Sequence, residues 1–135
     1  LSRSNLNRPD SQLNETASSS SLRALASGVN TPFFSLVRGP NSLGSLLEDR
    51  GVRAIPSSAD PRPFEAPYFT GGYNTRRHGS AQMGSIDGIQ VEHNFHGIRD
   101  TEANREAYAD RFADPLIALM QAHYGFDLGP AETRN

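Results

Sequence analysis

The chain has 135 residues, enough for one domain that buries roughly two-thirds of the surface its unfolded form exposes. Hydrophobic residues make up only 36 % of it beside 12 Gly and 9 Pro, which predicts a thin core and much loop. A net charge of −2 argues against nucleic acid and anionic membranes, the lack of a run of about 18 apolar residues argues against a membrane span, and the lack of Cys excludes disulfides, cysteine–zinc sites and thiol nucleophiles.

Residues 1–20 are polar and rich in Ser and Asn, and read as a loop or mobile arm. Residues 21–27 place Leu22, Leu25 and Ala26 at helical spacing, with Gly28 as a stop. Residues 31–39 form a short apolar segment of ambiguous type. Asn41 or Ser42 is placed to cap a helix over 42–50 that puts Leu43, Leu46 and Leu47 on one face, with Gly51 just past its end. A short buried strand is predicted over 52–56, making the α-then-β half of an α/β unit. Four prolines between residues 56 and 67 then require an irregular connection.

Residues 68–80 read as a polar, Gly-bearing loop, and 86–95 is the best strand candidate in the chain. The longest helix follows, capped by Asp100 or Thr101. Its apolar stripe steps through Tyr108, Phe112, Leu116, Leu119 and His123, and Gly125 ends it. Pro115 lies inside that stripe and predicts a kink or break near Arg111.

Side chains alternate across a strand, so Ile89, Val91, His93 and Phe95 share one face of 86–95 while Gln90, Glu92 and Asn94 share the other. The apolar members mark the core side. Glu92 therefore points toward another layer, a cleft or solvent: either a solvated strand end, or a carboxylate held rigidly where a general base is needed. His93 and His96 fall on opposite sides of such a strand and cannot chelate together. With four His and no zinc-binding spacing, this chain is not expected to supply a metal site of its own, and His123 reads as a satisfied boundary histidine. In the loop, Gly71 and Gly72 permit unusual backbone and close approach, and Arg76 and Arg77 offer forks for a carboxylate. Residues 38–44 could present backbone N–H groups to an anion, or be a turn plus a helix cap.

Taken together, "RGPNSLGSLLEDRGVRAIPS", "PYFTGGYNTRRHGS" and "IDGIQVEHNFHGIRD" resemble, in order and spacing, the C-terminal portion of the N-formylglutamate amidohydrolase family, among the zinc-carboxypeptidase-like hydrolases. The resemblance runs from about Ser19 to Gly125. It implies the C-terminal part of a three-layer αβα fold with a mixed sheet over residues 21–128, preceded by a connection over 1–20 and followed by a tail at 129–135. It further implies that Glu92 is the general base, and that Tyr73, Asn74, Arg76 and Arg77 contact an acidic substrate, without fixing which arginine does so. Zinc is expected for the complete enzyme. Nothing here corresponds to the family's zinc ligands, so these are expected from an N-terminal zinc-bearing segment or fragment, and Leu1 is expected to be an interior cut of a longer protein.

The function expected on this basis is hydrolysis of an amide in a small acidic substrate, of N-acyl amino acid or γ-glutamyl type, with neither nucleic acid nor membrane as partner. The rival expectation is a non-catalytic binding or structural protein that keeps the fold without the metal. A third reading is a self-contained module binding an anion at 38–44 or at the Gly-Gly-Tyr loop.

Overall fold

The computed structural model describes residues 1–129, and its regular structure is helical. Among the described residues seven α-helices follow one another: α1 (Arg3–Leu6), α2 (Asp10–Asn14), α3 (Arg23–Gly28), α4 (Phe33–Arg38), α5 (Leu43–Glu48), α6 (Tyr73–His78) and α7 (Glu102–Tyr124). Two 3-10 turns, Ala17–Ser19 and Ser80–Gln82, complete the set. Contacts run from α2 to α4, α4 to α5 and α5 to α7, while α3 packs on both 3-10 turns. None of these helices is long and apolar enough to cross a membrane.

The expected αβα fold with a mixed sheet is not what forms: no strand occurs among the described residues. Residues 52–56 and 86–95 do not form the predicted strands, and residues 89–94 make no backbone–backbone hydrogen bond among the described residues. A strand needs a hydrogen-bonded neighbour as well as alternating side chains, and periodicity reports only the latter. Part of the predicted alternation survives locally. Val91 and His93 are half-buried while Gln90, Glu92 and Asn94 are exposed. Ile89 and Phe95, expected in the core, are 49 % and 53 % exposed, with no second layer of described residues against them.

The polar first twenty residues hold α1, α2 and a 3-10 turn instead of an arm. Ser2 caps α1 by accepting from the Asn5 N–H, and Asp10 sits in the first turn of α2, where the helix dipole favours a carboxylate. Leu6 and Leu13 become fully buried. They join Leu25, Phe33, Leu36 and Val37 in one cluster, with Tyr68 and Tyr124 packed at its edge. The ambiguous segment 31–39 resolves as helix α4 because its apolar side chains reach this cluster.

Arg38 enters the same core with its guanidinium buried. Its five N–H groups find five acceptor contacts: Leu6 O at 2.8 Å, Pro61 O at 3.1 Å, Arg8 O at 3.0 Å, and two to Asp10 Oδ1. A buried charge is tolerated when it is paired and fully hydrogen-bonded, and here both conditions hold. One side chain thereby ties the carbonyls ending α1 and the start of α2 to α4 and the proline-rich connection.

Helix α5 starts as its residues dictate. The Ser42 hydroxyl accepts from the Ser45 N–H, and Ser45 in turn accepts from the Ser58 N–H at 2.8 Å. At its end Gly51 adopts φ +74°, and the Gly51 and Val52 N–H groups bond Glu48 O and Leu47 O. That is a Schellman stop, which favours glycine. Helix α7 begins at Thr101, whose hydroxyl accepts from the Asn104 N–H, and ends at Gly125 with φ +69°. It runs as a single helix through Pro115, without the predicted break. Pro115 forfeits the bond to Arg111 O but is fully buried, so packing offsets the lost bond.

Candidate functional site

The Gly-Gly-Tyr loop and the Glu92 segment meet in space. Gly71 needs its glycine for conformation, at φ +93°. Gly72 lies beside the end of the exposed Gln90 side chain, since a Cβ there would lie 2.7 Å from Gln90 Oε1. The Gln90 carboxamide donates through Nε2 to Glu92 Oε1, so a contact chain runs from the loop backbone through Gln90 to the carboxylate. Below it, a Cβ at Gly88 would come into ordinary van der Waals contact with Thr75 and Gly79, on and just after α6.

Of the predicted substrate contacts, Tyr73, Asn74, Arg76 and Arg77 all lie on α6 and all are exposed. No ion pair engages either arginine among the described residues. Tyr73 stacks edge-on with His78, ring centroids 6.3 Å apart. Glu92 is exposed as well, on the side of its segment opposite half-buried Val91 and His93.

The histidines are dispersed into separate structural roles. His93 Nδ1 lies 2.7 Å from the Tyr108 hydroxyl, and its ring packs edge-on against Tyr108 and Phe112 of α7. His96 lies 3.9 Å from Asp100, and His123 Nε2 lies 2.8 Å from the Asn41 carbonyl. Asp100 is held below the usual carboxylate range by the Gly97 N–H and then by the Asn104 carboxamide. No group of three or more His, Cys, Asp or Glu able to hold a metal ion occurs among the described residues.

Residues 38–44 do not present an anion site. Arg38 turns into the core and the Ser42 hydroxyl already fills the N-cap of α5.

A network that sequence reasoning missed supports the site from beneath. Asp87 Oδ2 accepts from the Leu25 N–H at 3.0 Å and the Tyr124 hydroxyl at 3.1 Å, and Oδ1 from the Ser80 hydroxyl at 2.6 Å. Arg23 donates to Ser80 O and Gly84 O, both at 2.8 Å, and Ser21 exchanges bonds with Gly88. This network fixes residues 80–88, which lead into the extended segment, to α3 and the residue Ser21 before it. Its only local signal in the sequence is a carboxylate beside a glycine, Asp87-Gly88, too common to single out.

No protein-family model, curated protein or solved structure matches this chain.

Proposed function

We propose that this chain is the base- and substrate-bearing part of an amide hydrolase acting on a small acidic amide, with Glu92 as the general base. One observation carries the reading beyond the sequence resemblance: the Gly-Gly-Tyr loop and the Ile-Gln-Val-Glu segment, separate in the chain, come together through Gly72, Gln90 and Glu92. Glu92 is accessible, and its anionic form is an acceptor for a proton from an attacking water. The same carboxyl can then deliver that proton to the departing nitrogen. Arg76 and Arg77, exposed on the helix that the loop opens, would attract the acidic end of the substrate. The zinc that the resemblance implies would take its ligands from an N-terminal segment outside this chain.

The test is hydrolysis of N-formyl-L-glutamate by a protein comprising this chain and its zinc-bearing segment, with Glu92→Gln as the variant. A fall in kcat of about 10²–10⁴ is expected of a lost general base. A fall below about tenfold would rule Glu92 out as the general base.

A further inference from the structure

We propose a second ligand site, independent of Glu92: the cleft between residues 51–55, the turn 94–98 and the first turns of α7 binds a small dicarboxylate through Arg53 and Arg111. The cleft has a volume of about 490 Å³. That lies in the range of small-molecule sites, about 300–1,000 Å³. None of the residues assigned above to the Glu92 site lines it.

Its charged lining is of one sign. Arg53 stands on one wall and Arg111 on the α7 wall, and no Asp or Glu is among the lining residues. The nearby carboxylates are engaged in their own contacts. Asp60 holds Arg53 by Nε at 2.7 Å, which orients the guanidinium while its terminal amino groups make no bond among the described residues. Asp100 is bound into its own turn by the Gly97 N–H and Asn104. Arg111 makes no ion pair among the described residues.

The remaining lining suits the same ligand. Asn94 and Asn104 bring carboxamides, Tyr108 brings a hydroxyl already fixed by His93, and Ile55 gives an apolar wall for a short methylene chain. Burial raises the Tyr108 hydroxyl, so the phenol stays neutral and adds no charge against an anion. Two guanidinium forks lining one cleft match two carboxylates, each able to take a bidentate pair.

Titration of the purified 135-residue chain with glutarate, followed by amide chemical shifts, tests this site without any hydrolytic readout. Failure of the Glu92 reading therefore leaves the outcome unmoved. Saturable binding is expected, with shifts centred on 51–55, 94–98 and the start of α7. Arg53→Gln and Arg111→Gln should each weaken it about tenfold, as loss of a charge-assisted pair predicts. Ala107→Glu puts a carboxylate on an exposed helical position lining the cleft, and should weaken binding similarly without unfolding the chain. Arg76→Gln with Arg77→Gln should leave it unchanged. The proposal is overturned by absence of saturation, by unchanged affinity in Ala107→Glu or the cleft arginine variants, or by loss in the α6 variants instead.

Discussion

The Tyr124 hydroxyl, at the last turn of α7, donates to the Asp87 carboxylate at 3.1 Å and so joins the end of the longest helix to the network beneath the candidate site. Burial first, and the adjacent negative charge second, push this phenol up to about 12 from its ordinary 10.0. Because the folded state holds the proton more tightly, the contribution to stability is fully present below pH 10 and is lost as pH rises toward about 12. Urea midpoints across that window should fall with pH, and Tyr124→Phe should reduce the slope. Tyr68 and Tyr108, whose hydroxyls burial also raises, act in the same direction, so some slope should persist. An identical slope in Tyr124→Phe would place the alkaline transition elsewhere.

Arg38 should be the most costly charged side chain to remove. Arg38→Ala strands the carbonyls of Leu6, Arg8 and Pro61 and deprives Asp10 of its partner, at a cost of about 3–5 kcal/mol. Arg38→Lys should recover little, since an ammonium has three donors where the site uses five. Denaturant unfolding of the two variants checks both statements. A loss below about 1 kcal/mol in Arg38→Ala would mean that water satisfies these groups at no cost.

Two glycines should respond oppositely to alanine. A Cβ at Gly44 would lie 1.9 Å from the Pro56 carbonyl, a backbone atom that cannot swing away, so Gly44→Ala must separate α5 from the connection after it. A loss of about 2 kcal/mol or more is expected, at the severe end of overpacking. At Gly28, in the last turn of α3, the same substitution meets nothing within 4 Å and should be neutral or stabilise by up to about 1 kcal/mol. Thermal midpoints of the pair check the contrast, and a Gly44→Ala protein as stable as the parent would refute the close approach.

What could be read in the sequence was local. Ser42 and Thr101 act as caps, Gly51 and Gly125 as stops, and His123 finds a carbonyl at the helix boundary, because each of these depends on groups a few residues away or on a helix face. The outward direction of Glu92 was also legible, since alternation alone separates it from Val91 and His93. The sheet was not. Strand-like patterns at 52–56 and 86–95 say which side chains prefer burial and nothing about whether a backbone partner exists.

The core was misplaced for a related reason. Seven of the eight buried hydrophobic residues fall between Leu6 and Leu47, including two in a stretch too polar to suggest helices, while the large exposed ones all lie from Phe64 onward. Around Leu6 the fold is held by Arg38, which bonds the carbonyls of Leu6, Arg8 and Pro61. The partners of that arginine are backbone atoms and Asp10, which leave no spacing signature.

With Ile89 and Phe95 exposed and residues 89–94 making no backbone–backbone hydrogen bond among the described residues, the extended segment is anchored to α7 through His93. The contact combines a hydrogen bond to the Tyr108 hydroxyl with edge-on packing against two rings. Tyr108→Phe should cost about 1 kcal/mol, because it removes the hydrogen bond and keeps the ring. His93→Ala should cost more, since it removes both components, with about 0.5–1.5 kcal/mol for the aromatic contacts alone. In a double-mutant cycle the second loss should shrink once the first has been made, giving a coupling of about 0.5–1.5 kcal/mol. Additive losses would show that the segment is held by something other than this pair. The result matters for Glu92 directly, because the residue that anchors the segment is the next one along and faces the opposite side.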